Sequence, residues 1–204
     1  LCAEAIRLGR LLERGFPERP EPGALLALML LLDSRSAARI DEAGALVSLE
    51  AQDRSRWNRV EIDEGIQYLE RALAAGVDSV YTIQAAIAAM HARAPSAAQT
   101  DWVEIAQLYE VLALRANTPV VALQRAAAVG MAAGVDRGLL VLGELASDPA
   151  MQNYHLFFAV RADLLRRAGR LNEAQADYVR ALELARSEPE RKHLRRRLAE
   201  VTAS

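Results

Sequence analysis

The chain has 204 residues, of which 52% are apolar and 25% charged, with 11 Gly, 7 Pro and a single cysteine. That composition excludes disordered, collagen-like and disulfide-framework classes, and the length corresponds to one large domain or two small ones with a sizeable core. With 25 basic and 27 acidic residues the formal charge is −2, too near neutral for the whole surface to act as a polyanion-binding field.

Apolar residues recurring with a period near 3.6 predict helices along most of the chain, near 2–14, 22–33, 58–75, 79–93, 101–116, 119–133, 136–147, 152–168, 171–186 and 188–202. The first carries Glu4, Arg7 and Arg10 within an amphipathic pattern, unlike the apolar core of a signal peptide. The second contains "ALLALMLLL" at 24–32, far short of the roughly 20 residues that span a bilayer and better suited to a helix buried on most sides. After it, "ARIDEAGALVSL" at 38–49 places Ile40 and Val47 on either side of an Asp-Glu-Ala-Gly turn and predicts a short β-hairpin. "QDRSRW" at 52–57 follows directly and leads into the third helix.

Helix ends are marked by residue type. Thr118 before Pro119 reads as an N-cap with proline in the first turn, and Asp101 with Glu104 and Ser187 with Glu190 resemble capping boxes. Gly76, Gly134 and Gly169 stand where helices should stop. In the last third, Ala162 and Leu165, the turn residue Gly169, then Ala174, Tyr178 and Ala181 follow the logic of a tetratricopeptide (TPR) hairpin, in which small residues let two helices approach and a tyrosine fills the space beside them. Gly134, 35 residues earlier, marks a degenerate second copy. The expected fold is therefore all-α: TPR-like antiparallel hairpins in a curved array, as one domain with an irregular half over 1–95 and a TPR-like half over 96–204.

Chemistry is sparse at this level. No GxSxG, P-loop, HExxH, GxGxxG or EF-hand motif occurs. Cys2 has no second cysteine to pair with, which fits a reducing cytoplasm, and no Cys/His spacing suggests zinc. His91, His155 and His193 fall on separate helices and read as packing or surface groups, while Glu61, Asp63 and Glu64 suit the positive end of a helix dipole. The run "RKHLRRR" at 191–197 reads as a solvated helix face, with a nucleic-acid or partner contact as its rival. Trp57 and Trp102 read as core anchors. For "QDRSRW" two readings stand: a structural pin in which Asp53 holds the loop to a neighbouring helix, or a ligand- or partner-contacting loop. No catalytic residue, metal or cofactor is expected.

"LCAEAIRLGRLL", "GALLALMLLLDSRSAARID", "LEAQDRSRWNR", "IQAAIAAMHARAPSAAQTDWVEIAQLYE", "TPVVALQRA" and "YHLFFAVRADLLRRAGRLNEA", in this order, resemble the C-terminal TPR-like extension of bacterial extracytoplasmic-function (ECF) RNA polymerase sigma factors. Gln124 departs from the family pattern, which has Asn there. The resemblance implies a cytoplasmic, non-enzymatic regulatory domain that follows sigma regions 2 and 4 and controls transcription initiation in cis. Its implied partners are those regions and, through them, core polymerase, with a small YCII-related protein as a further partner. DNA is contacted only by the absent sigma regions, and no membrane is involved. The polar positions it carries over are Gln52, Asp53, Arg54, Arg56, Trp57, Gln84, His91, Asp101, Trp102, Arg125, Tyr154, His155 and Arg161, several of which are expected to converge on the inner face of the array. The rivals are a free-standing TPR adaptor that captures an extended peptide and a small-molecule sensor using His91 and Asp101.

Overall fold

The structure, a computed structural model, describes residues 2–203. Among them the fold is all-α, with no sheet: α1 (Cys2–Gly15), α2 (Glu21–Asp33), α3 (Arg59–Ala74), α4 (Val80–Arg93), α5 (Trp102–Arg115), α6 (Pro119–Ala133), α7 (Val135–Leu145), α8 (Pro149–Gln152), α9 (His155–Arg167), α10 (Leu171–Leu184) and α11 (Glu188–Thr202). No helix among the described residues is long and apolar enough to cross a membrane. Two compact units form, one from residues through Arg39, Ser48–Asp101 and Leu114–Ala116, the other from Ile40–Val47, Trp102–Ala113 and the residues from Asn117 onward.

The first unit is organised on α2, which packs against α1, α3 and α4. Leu26, Leu30 and Leu31 are completely removed from solvent, as are Ala24 and Ala27, so the apolar run expected to be buried on most sides is so. Each fully buried leucine contributes about 1.5–3 kcal/mol. Trp57, Ile62, Leu69, Ala85, Ala89 and Ala92 complete this core with Leu31 and Ala27. The chain leaves α2 through the buried Ser34, whose carbonyl accepts a 2.8 Å hydrogen bond from the Asn58 N–H. Asn58 then caps α3 by accepting from the Glu61 N–H.

In the second unit α6 packs on α7, α9 on α10, and α10 on α11. Ala162, Ala174 and Ala181 are fully buried beside Tyr178, as the small-residue pattern requires. The turn between α9 and α10 is closed at Gly169, whose φ of 73° is the left-handed conformation glycine adopts without a Cβ clash. There the Gly169 N–H donates to the Arg166 carbonyl and the Arg170 N–H to that of Leu165. Gly76 and Gly134 also have positive φ at helix ends. Helices α6 and α7 approach most closely at Gly130 and Gly138. A Cβ on Gly138 would lie 2.7 Å from the Gly130 Cα and 3.0 Å from the Ala126 carbonyl oxygen.

Four expectations change in detail. The hairpin over 38–49 is a loop with one antiparallel bridge, Ile40 to Leu46, because Asp41 folds back on itself: its carboxylate accepts from the Ala45 N–H and its N–H donates to the Ala45 carbonyl. The helix expected over 152–168 starts at His155, preceded by the one-turn α8 that Asp148 caps and Pro149 begins. Of the Ser187–Glu190 capping box only the glutamate half forms: the Glu190 carboxylate takes the Ser187 N–H and its hydroxyl, while the hydroxyl accepts from no helix amide.

The fourth concerns the basic run, which holds the chain's own loop. Lys192 Nζ donates to the Ala43 carbonyl at 2.6 Å, His193 Nδ1 lies 3.0 Å from the Leu46 carbonyl oxygen, and Arg196 pairs with Asp41 at 3.1 Å. The Leu46 N–H completes the dock on the Pro189 carbonyl at 3.0 Å. Arg191 caps the end of α10 through the Leu182 and Ala185 carbonyls, and Arg195 and Arg197 pair with Glu188 and Glu200. Part of the run is thus engaged by the chain's own loop, while Arg195 and Arg196 remain exposed at the surface.

The α6–α7 contact is tested by Gly138→Ala, which should destabilise the protein by about 2 kcal/mol in urea unfolding, since the methyl group meets backbone that cannot rotate away. Gly143→Ala, where an added Cβ meets nothing within 4 Å, should be neutral or stabilising by up to about 1 kcal/mol.

Candidate functional site

Of the thirteen positions singled out in the sequence, three come together in the first unit: Arg54, Trp57 and His91. Residues Arg54–Arg56 form a single 3₁₀ turn between Asp53 and the buried Trp57. The Arg54 guanidinium lies over the Trp57 ring at 4.5 Å from its centroid, and Arg35 approaches the same ring at 6.0 Å. Arg54 Nη1 donates to the His91 carbonyl and, at 3.0 Å, to that of Ala94. These acceptors belong to the end of α4, where the helix dipole is negative and carbonyls lack intrahelical partners.

The pin is therefore Arg54, and not Asp53 as the sequence suggested. Asp53 is exposed and accepts from both the N–H and the hydroxyl of Ser55, at 2.9 and 2.7 Å. Its short side chain closes the local turn, whereas the longer guanidinium spans the gap to α4. The Ser55 hydroxyl, its N–H and the nearby Arg56 charge hold the Asp53 carboxyl below its ordinary range. Burial and the Arg59 charge push the Arg54 guanidinium down as well.

His91 is 9% exposed. Burial first, then the charges of Arg35 and Arg54, lower its imidazole to about 4, so it is neutral in the folded protein at pH 7. Arg56 is exposed, Gln52 and Gln84 are half-buried, and Asp101 is exposed just before α5. The sensor reading built on His91 thus begins from a buried, neutral imidazole within reach of two arginine charges.

The remaining positions lie in the second unit, in separate places. Trp102 is half-buried at the start of α5. Arg125 pairs with Glu110 at 2.7 Å. The Tyr154 and His155 rings meet edge to face at 5.8 Å, and His155 Nε2 lies 3.4 Å from Glu190. Arg161 makes a two-pronged pair with Asp177, both contacts at 2.6 Å, while its guanidinium rests against Phe157 and Phe158. The pair faces a recess of about 440 Å³ lined also by Leu139, Leu165, Arg170 and Glu173. Its charges are mutually neutralised, since Arg170 and Glu173 also pair at 2.7 Å. Among the described residues no group of three or more His, Cys, Asp or Glu could hold a metal ion.

The sequence reading missed an apolar recess in the first unit. Leu12, Phe16 and Leu25 line two adjoining hollows of about 420 and 580 Å³, joined by Leu8 and Met29 on one side and Tyr81 on the other. Its signal was present: Ile6, Leu8, Gly9, Leu11 and Leu12 spread over roughly 220° of the helix at about 100° per residue, more than the single stripe a helix packed on one neighbour needs.

Two outcomes test the cluster. Arg54→Ala should cost about 2 kcal/mol in urea unfolding, by leaving the carbonyls at the end of α4 without their charged donor, and Asp53→Ala should cost less. The imidazole of His91 is depressed in the fold, so the unfolded chain binds the extra proton between pH 6.5 and about 4; the stability it provides is complete above pH 6.5 and is lost on acidification through that window. Between pH 7.5 and 5 the native protein should lose about 2 kcal/mol more than a His91→Gln variant; parallel pH profiles would contradict a neutral buried His91.

Residues 1–73 match a family of unknown function (DUF6596). The chain is 42% identical over 203 residues to a protein of Rhizobium meliloti (strain 1021) described as "Uncharacterized protein R00370". The match takes in the whole of this chain but 48% of that relative, so the chain spans about half of the relative's length. No solved structure matches.

Proposed function

We propose that this chain is the regulatory C-terminal extension of an ECF sigma factor, a TPR-like helical module that controls transcription initiation through protein contacts and not through catalysis. The observation that carries the reading is the open apolar recess between α1, α2 and Tyr81. Exposed leucine and phenylalanine side chains around a groove have the chemistry of a protein-docking surface. The charged positions offered by the resemblance are engaged within the units, as Arg54, Arg125 and Arg161 show. The resemblance to sigma-factor extensions runs along nearly the whole sequence, and a relative twice as long leaves space for promoter-reading regions.

In this reading the extension favours one arrangement of the sigma regions over another. A contact that differs between two arrangements by about 1–3 kcal/mol shifts the active population five- to 150-fold. Partners are sigma regions 2 and 4 of the same polypeptide, core polymerase through them, and a small YCII-related regulator, all in the cytoplasm.

The test is transcription in vitro from a cognate promoter, with core polymerase and the sigma factor either complete or lacking these 204 residues. Output should differ at least about fivefold between the two forms. Equal output at matched occupancy of the polymerase would overturn the regulatory reading.

A further inference from the structure

The recess of the second unit, between α7, α9 and the first turns of α10, combines four charged side chains with an aliphatic wall. Arg161, Arg170, Glu173 and Asp177 line it together with Leu139 and Leu165, around a volume of about 440 Å³. Two guanidinium groups against two carboxylates give the site no net charge. Glu173 feels both cations: its hydrogen bonds to Arg170 chiefly, and the Arg161 charge as well, hold its carboxyl below the ordinary range.

The internal pairs use only part of this chemistry. A guanidinium carries five N–H donors and can present a second edge when the first is engaged. Arg161 gives Nε and Nη2 to Asp177, both at 2.6 Å, and Arg170 gives Nε and Nη2 to Glu173, both at 2.7 Å. Nη1 of either arginine makes no hydrogen bond among the described residues. Arg161 is also held in place: Asp177 is 6% exposed, and the guanidinium rests on Phe157 and Phe158 at 5.1 and 5.6 Å from their ring centroids. A donor positioned in advance loses little side-chain entropy when it binds.

The charge pattern selects the ligand. A simple anion meets two carboxylates as well as two arginines, and a simple cation meets the reverse, so repulsion offsets attraction in either case. A purely apolar molecule strips water from charged groups and returns no hydrogen bond. A zwitterion with its carboxylate and ammonium on one carbon serves donors and acceptors together and adds no net charge. The volume lies toward the lower end of the range for small-molecule sites, and Leu139, Leu165 and Ala176 offer apolar surface to a short side chain.

We infer that this recess binds a free α-amino acid with an aliphatic side chain: the carboxylate on Nη1 of Arg161 and Arg170, the ammonium on Glu173, and the side chain against Leu139, Leu165 and Ala176. The second unit is then a receptor for a small metabolite, independently of what docks on the first.

The experiment titrates L-leucine into the full-length protein by isothermal calorimetry. The expected Kd is below about 1 mM, weakened at least about tenfold by Arg170→Gln and by Glu173→Gln. Both side chains are about half exposed, so neither change strands a buried charge. N-acetyl-L-leucine, which lacks the ammonium, L-leucinamide, which lacks the carboxylate, and glycine, which lacks the side chain, should each bind at least about tenfold more weakly than L-leucine. No binding at about 10 mM L-leucine, equal affinity for any of the three analogues, or unchanged affinity in either variant would overturn the inference; equal affinity for N-acetyl-L-leucine would assign the recess to a polypeptide C-terminus instead.

Discussion

A helix with no polar face cannot be stable until it is surrounded, and α2 imposes that condition on the first unit. Five of its residues are removed entirely from water, so α1, α3 and α4 must each supply an apolar surface to it. The closeness this requires is visible at Gly65 of α3, where a Cβ would come within 2.9 Å of the Leu31 side chain and 3.2 Å of the Ala27 carbonyl. The same condition explains the 3₁₀ turn at 54–56. The chain crosses from α2 to α3 over an apolar core, and Trp57 fills that core while Arg54 closes it against the end of α4. The opening between α1 and Tyr81 is what remains of the condition: α1 covers α2, while its Leu8, Leu11 and Leu12 stay about half exposed.

Arginine does work in both units that its charge alone would not predict. Arg54 stacks on an indole and donates to backbone carbonyls, Arg161 lies on two phenylalanines while pairing with Asp177, and Arg191 ends α10 through two carbonyls. A planar guanidinium with several donors can satisfy helix ends and carboxylates at once and still present an apolar face. Loss of solvent first, and then two neighbouring guanidinium groups, oppose protonation of the buried His91.

These features change where a functional surface is sought. Polar residues gathered by a family resemblance invite a reading as a recognition site, yet most of them are committed to capping, pairing or packing. The exposed apolar side chains form the open surface of the first unit.

Sequence alone determined the helical class, the positions of nearly all the helices and their stops at Gly76, Gly134 and Gly169, because periodicity, caps and φ preference act within a few residues of one another. It also determined that α2 would be buried and that Ala162, Ala174, Ala181 and Tyr178 would share a helix contact. Tertiary structure decided what each polar side chain reached: that Arg54 and not Asp53 is the pin, that "RKHLRRR" grips residues 41–46 from nearly 150 positions away, and that Gly130 meets Gly138. It also decided which part of α1's wide apolar arc would be covered. Those outcomes depend on side-chain reach and on partners distant in the chain, and no local pattern specifies which neighbour will be present.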